Sequence, residues 1–188
     1  MATASVATTA TTPCNAGAGS DTIFGGQGND SINGGAGNDS ISGDLGNDNI
    51  AAGAGPETIS GGAGNDTIGF GTGDSLYTAT GTTVDVVLGF STGHEGLGVS
   101  TLGVISFNEL SKVYATYADA ATAANLVMIG TSHAVVAAQV GADTYLFVDS
   151  NNSHGLNAGD QAIKLVGVTY AGVHATDIFD TGGAFGGT

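Results

Sequence analysis

Residues 16–69 read AGAGSDTIF GGQGNDSIN GGAGNDSIS GDLGNDNIA AGAGPETIS GGAGNDTIG, one nine-residue phrase written six times without an insertion. The fourth position is Gly in every copy (Gly19, Gly28, Gly37, Gly46, Gly55, Gly64). The sixth is acidic (Asp21, Asp30, Asp39, Asp48, Glu57, Asp66) and the eighth is Ile (Ile23, Ile32, Ile41, Ile50, Ile59, Ile68). A fixed short period marks stacked structural units. A glycine-rich linker would have no reason to hold Ile and a carboxylate in strict phase.

Each repeat divides in two. The first six residues, rich in Gly, Asn and Asp, suit a turn that needs positive φ or local side-chain hydrogen bonds. The last three, such as Ser31-Ile32-Asn33, suit a short strand with one buried side chain between two exposed ones. One such strand cannot bury its Ile alone. Two repeats per turn of a coil would stack the Ile side chains inside and place successive turns on opposite sides. Turns starting at 16, 34 and 52 then share one side, and those starting at 25, 43 and 61 the other. Strands about 4.8 Å apart bring Asp21 close to Asp39 and Asp30 close to Asp48. Such pairs, ionised at neutral pH, repel by roughly 1–3 kcal/mol each. The coil therefore requires a counter-charge. Carboxylates and turn carbonyls offer only oxygen, which suits Ca²⁺, a hard cation that takes six to eight oxygens in irregular geometry, better than Mg²⁺. The repeats contain no Cys or His, so zinc and other metals that seek nitrogen or sulfur fit poorly.

The phrase G-G-x-G-x-D-x-U-x, with U apolar, resembles the calcium-binding nonapeptide of RTX proteins. The resemblance implies a parallel β-roll in a mainly all-β chain, with several Ca²⁺ ions held between loops. Its carboxylate ligands would be Asp21, Asp30, Asp39, Asp48, Glu57 and Asp66. Backbone carbonyls would come from Gly26, Gly28, Gly35 and Gly37, and from Gly43, Gly46, Gly62 and Gly64. Pairing the stacked loops gives four sites: 16 with 34, 34 with 52, 25 with 43, and 43 with 61. Three departures stand out. Pro56-Glu57 replaces Asn-Asp or Ser-Asp, Asp44 replaces the second Gly, and the first copy opens on Ala16.

The 188 residues carry 17 acidic groups against two Lys, a net charge of −15. A chain without Arg and with only Lys112 and Lys164 lacks the basic surface that nucleic acid needs. No apolar run reaches the roughly 18 residues of a membrane helix, so membrane insertion is not expected. The start, MATASVATTATTP, has neither the basic residues nor the continuous apolar stretch of a Sec-type signal. Cys14 stands alone, which excludes an intrachain disulfide.

Three segments follow from the period: residues 1–15 as an extended or disordered lead, 16–74 as the roll, and 75–188 as a β-rich cap with one helix. Gly71-Thr72-Gly73-Asp74 is placed to close one end of the roll. Within the cap, Val84–Phe90, 126–129, 134–140, Thr144–Asp149 and Ile163–Val168 are predicted strands, with a hairpin turn at Val140–Asp143. Ser106-Phe107-Asn108-Glu109 fits a capping box opening a helix to about Asn125. The order Val86-Val87-Leu88-Gly89-Phe90, Asp143–Asp149 and Ala162–Thr169 resembles the segment after the repeats in serralysin-type proteases. That resemblance implies a cap with an uncleaved C-terminal type I secretion signal, ending here on Asp177-Ile178-Phe179-Asp180 and a glycine-rich tail. An Asp is usual in that family where His94-Glu95 stands.

Other motifs are weaker. Asp149-Ser150-Asn151-Asn152-Ser153-His154-Gly155 alternates oxygen donors, but its Gly is at position 7 instead of the EF-hand position 6, which favours a strand-connecting turn. His94-Glu95 is not the start of His-Glu-x-x-His, because residue 98 is Gly. Gly130-Thr131-Ser132-His133-Ala134 resembles a nucleophile elbow without its final Gly. The His residues 94, 133, 154 and 174 show no ligand spacing, and catalysis is not expected. Two roles fit. The composition resembles bacterial surface-layer proteins, which implies a secreted, self-assembling calcium protein, possible as a homo-oligomer at the cell surface. The other role is the C-terminal secretion and folding module of a larger RTX protease or lipase. Either would be exported by the type I secretion apparatus.

Overall fold

A computed structural model describes residues 4–6, 13–71, 74, 78, 80–81, 83–91, 93–99, 106–132 and 134–181. The repeat strands are β1 (Ala4–Val6), β2 (Pro13–Asn15), β3 (Thr22–Phe24), β4 (Ser31–Asn33), β5 (Ser40–Ser42), β6 (Asn49–Ala51), β7 (Thr58–Ser60) and β8 (Thr67–Phe70). The cap adds β9 (Asp85–Leu88), β10 (Gly96–Val99), β11 (Ser106–Tyr114), helix α1 (Tyr117–Met128), β12 (Ala134–Val140), β13 (Asp143–Val148), β14 (Gln161–Leu165) and β15 (Ile178–Asp180).

Odd and even repeat strands separate into two sheets, parallel throughout the repeats, because each nine-residue unit is half a coil; in the cap only β13 runs antiparallel to its neighbours. One sheet runs β1-β3-β5-β7-β9-β14-β13-β12-β11 and the other β15-β10-β8-β6-β4-β2. The register aligns Ile23 with Ile41, Ile41 with Ile59 and Ile59 with Val87. Opposite them run Cys14, Ile32, Ile50, Ile68, Leu97 and Ile178. These two ladders face each other as one buried core that continues from the repeats into the cap. Cys14 is thus an inward rung, in no disulfide. Residues 4–6 and 13–15 are extended and pair with β3 and β4.

Residues 106–114 correct the sequence reading. They form β11, parallel to β12, and not the start of a helix. The capping-box match at Ser106–Glu109 is overridden by pairing with the buried strand Ala134–Val140. The helix begins at Tyr117, where Thr116 is the N-cap: its Oγ1 accepts from Asp119 N at 3.2 Å. Residues 126–128, read as part of a strand, are the last turn of α1, and Ile129 is its C-cap. A second core lies where Ala120, Ala121, Ala124 and Met128 of α1 meet Val136, Phe147 and Ala162. The Val140–Asp143 hairpin is present, with those two residues paired across it.

Ile50→Ala, which empties a fully buried rung, is expected to cost about 2–5 kcal/mol of stability in excess calcium. Leu45→Ala, at a 52 % exposed turn position, is expected to cost less than about 0.5 kcal/mol. Urea unfolding compares them, and similar losses would contradict this assignment of inside and outside.

Candidate metal centre

The turns stack as the strands do. Isolated bridges join Ala18 to Ala36 and Ala36 to Ala54 on one side, and Gln27 to Leu45 and Leu45 to Ala63 on the other. Turns this close leave no room for a side chain at the fourth-position glycines Gly37, Gly46, Gly55 and Gly64. A Cβ on Gly46, whose φ is +141°, would lie 1.8 Å from the Gly28 carbonyl oxygen. That contact explains why the fourth position is invariant among the six copies.

The sixth-position carboxylates are all buried, at 1–3 % exposure. One oxygen each of Asp39, Asp48 and Asp66 is committed to the adjacent coil. Asp39 Oδ1 accepts from Asp21 N at 2.8 Å, Asp48 Oδ1 from Asp30 N at 2.8 Å, and Asp66 Oδ1 from Asp48 N at 2.9 Å. The second oxygen is different. Oδ2 of Asp39, Asp48 and Asp66 is buried without a hydrogen-bond partner. It lies over the first residue of its own turn and, for Asp39 and Asp48, beside the carbonyl of the next coil. A Cβ on Gly43 would meet Asp48 Oδ2 at 2.4 Å and Gly61 O at 2.3 Å. A Cβ on Gly34 would meet Asp39 Oδ2 at 3.1 Å and Ala52 O at 2.2 Å. A carboxylate oxygen and a carbonyl oxygen therefore converge on one small space in the turns that open at Gly25, Gly34 and Gly43.

Glu57 interrupts the pattern. Both of its oxygens are buried without a hydrogen-bond partner, so it makes no rung with Asp39 N. Its extra methylene and the fixed φ of Pro56 account for the departure.

No basic side chain offsets this charge. Lys164 Nζ pairs with Asp143 at 2.8 Å, and Lys112 lies over the Tyr114 ring, both in the cap. Burial accordingly raises the pKa of Asp39 and of Asp48, opposed in each by the backbone N–H it accepts and reinforced by neighbouring carboxylates. Burial, then the charge of Asp85, pushes Glu57 up to about 11, and burial pushes Asp74 up to about 6. Among the described residues no three carboxylate, imidazole or thiol groups converge on one point. A cation here would draw most of its shell from carbonyls, with one or two carboxylates. Unpartnered buried oxygens in an all-oxygen cradle fit a hard divalent ion.

The model of the RTX calcium-binding nonapeptide repeat matches residues 15–50 and 42–77. The chain is also similar to the solved AlgE6R3 subunit of the Azotobacter vinelandii mannuronan C5-epimerase, at 30 % identity and a TM-score of 0.57, over 87 % of this chain and 78 % of that one. The chain belongs to the RTX calcium-binding repeat family. The AlgE6R2 subunit of the same epimerase matches at 28 % identity and a TM-score of 0.54, over 90 % of this chain and 92 % of that one. A comparison with curated proteins gives no match.

In this RTX chain the turns group as the period predicts. Asp21, Asp39 and Glu57 line one side, and Asp30, Asp48 and Asp66 the other. Gly26 O and Gly35 O accept from Leu45 N and Ala54 N. Gly28, Gly37, Gly46 and Gly64 sit where successive turns touch, and Gly62 lies against the Asp44 carbonyl. Asp44 stays out of the ladder: its Oδ1 accepts from Ser42 Oγ at 2.5 Å.

Sequence reasoning missed three things. Asn47 N and Asn65 N donate to the side chains of Asn29 and Asn47, a second ladder that His94 caps through Nδ1 at 3.1 Å from Asn65 Oδ1. Position-1 carbonyls line the cradle: that of Gly43 was expected, whereas those of Ala52 and Gly61 were not. Asp85 and Glu95 take the place of position 6 beyond the last repeat, since Val86 pairs with Thr58 and Gly96 with Thr67. The recurring acid-x-apolar spacing of Asp85-Val86-Val87 and Glu95-Gly96-Leu97 was the available signal.

The other motifs fall elsewhere. Asp149 accepts from Ser153 N and His154 N, and Asp160 from Ser150 N and Asn157 N, each at 2.7–3.0 Å, so this loop is a backbone-bonded turn. Gly130–Ser132 follow α1 and lead into β12, the reverse of an elbow's strand-turn-helix order, and His133 lies outside the described residues. Thr72 and Gly73 of the closing turn also lie outside them, while Asp74 Oδ2 accepts from Gly71 N at 2.6 Å.

The raised carboxylates fix the sign of the pH dependence. Without calcium, each contributes full stability below the ordinary carboxylate pKa of about 4, lost as pH rises through its folded value. The metal-free fold is expected to gain stability as pH falls from 8 towards 4, with Asp74 contributing near pH 6. Where mild acid keeps the metal-free fold populated, calcium uptake is expected to release protons, since burial and the charge of Asp85 hold Glu57 protonated in that fold. Thermal melts in chelator, and calorimetry in buffers of different ionisation enthalpy, measure the two effects. A metal-free fold that weakens on mild acidification would contradict the carboxylate assignment.

Proposed function

We propose that this RTX chain is an exported module whose folding is switched on by calcium outside the cell. The unpartnered buried oxygens of Asp39, Asp48 and Asp66 carry this reading. The ions would sit between successive turns, held by the sixth-position carboxylates and by turn carbonyls. Where free calcium is scarce, the stacked carboxylates repel and the chain stays extended enough to pass a type I exporter. Millimolar calcium matches the affinity of extracellular modules, about 10⁻⁴–10⁻³ M, and ligand that binds only the folded state stabilises it by mass action. A serralysin-like secretion signal at the C-terminus belongs to this proposal, and its tail, residues 182–188, lies outside the described residues.

A second reading rests on the two epimerase subunits, which match the cap as well as the repeats. On that reading the chain is the calcium-folded accessory module of a carbohydrate-modifying enzyme. Self-assembly at a surface remains the alternative role, and size measurement during calcium titration separates the two: a monomer throughout favours the accessory module, calcium-dependent polymers the assembly.

Circular dichroism is expected to show a β-spectrum in calcium and its loss in chelator at pH 7.5; an unchanged spectrum would contradict calcium-driven folding. Asp39→Ala and Asp48→Ala are expected to raise the calcium midpoint several-fold, and Asp44→Ala to leave it nearly unchanged. Equal shifts for all three would contradict the ladder.

A further inference from the structure

The two carboxylate ladders end differently where the repeats meet the cap. On the Asp30–Asp48–Asp66 side, Asp66 N donates to the His94 carbonyl at 3.0 Å, and the Glu95 carboxylate turns away to accept from Ser91 N at 2.5 Å. On the other side the ladder continues. Asp85 Oδ1 accepts from Glu57 N at 2.7 Å, the same rung that Asp39 makes with Asp21 N at 2.8 Å. Val86 N donates to Glu57 O at 2.9 Å, so β9 joins the roll in full register. Yet 28 residues separate this pair, against 18 within the array, and Asp85 lies beyond the matched repeats.

Glu57 is 1 % exposed and both of its oxygens lack a hydrogen-bond partner. It faces the Asp85 carboxylate at hydrogen-bonding range, with Asp39 and Asp74 close enough to act on it through their charge. Asp85 and Asp74 are themselves buried, at 0 % and 2 % exposure. The nearest strand's cation, Lys164, is turned to Asp143. Two buried carboxyl groups held this close need either a shared proton or a positive charge between them, and an ionised Glu can offer both oxygens to one ion.

We propose that a divalent cation seated between Glu57 and Asp85 forms a fifth site, outside the nonapeptide array, and fastens the cap to the roll. It rests on the calcium reading of the array but adds a ligand that no repeat supplies. The site makes order in β9, and through it in β14, depend on the same ion that closes the last turn of the roll.

Equilibrium dialysis with calcium on the full chain and on Asp85→Asn tests this. The variant is expected to bind one ion fewer per chain while circular dichroism still reports a calcium-induced roll. An unchanged ion count overturns the fifth site and leaves the array intact, whereas a wild-type chain that binds no calcium overturns the array itself. If Asp85→Asn fails to fold, amide exchange in the wild-type chain decides. Exchange at Glu57 and Val86 is expected to slow at least tenfold on adding calcium, and exchange there that ignores calcium overturns the proposal.

Discussion

Like charges stacked at the spacing of β-strands are the constraint on which this molecule depends. A parallel coil of two nine-residue units per turn aligns every sixth-position carboxylate with the one above it. The hydrophobic ladder favours that alignment, because each Ile must cover the next. The carboxylates oppose it. Half of each conflict is resolved internally, by the backbone N–H that one oxygen accepts. The other oxygen points into a space bounded by carbonyls, where a cation at neutral pH, or a proton in acid, makes its burial favourable.

Glycine and the small first residue of each turn make that space possible. Neighbouring turns approach until a methyl group at Gly46 or Gly43 would overlap a carbonyl or carboxylate oxygen. Backbone freedom and metal cradle are therefore one feature seen twice. Because the charges are acidic throughout and both lysines are occupied in the cap, the chain contains no internal substitute for the ion. The fold is in this sense incomplete as a polypeptide, which links its sequence to the calcium concentration around it.

The roll was legible because its signals agree at every level: period, turn chemistry, buried rung and charge all point to one coil. The cap was only partly legible. Ser106–Glu109 satisfies a helix-start pattern, yet the residues pair with a strand that lies 28 positions further on and leaves no mark near Ser106. Thr116 and Asp119 form the real cap with the same chemistry ten residues later. Asp85 and Glu95 escaped notice for a related reason. The period that identified their counterparts is broken by the longer connection between β8 and β9, and only their register against Glu57 and Asp66 restores the equivalence.

The central claim is that metal ions occupy the space between successive turns. A crystal structure from calcium-containing buffer, with anomalous scattering recorded for calcium, tests it most directly. The account predicts peaks between the paired turns, within about 2.3–2.6 Å of the Asp39, Asp48 and Asp66 Oδ2 atoms and of adjacent carbonyl oxygens. A well-ordered roll whose Oδ2 atoms met only water or protein donors, with no anomalous peak between the turns, would contradict it.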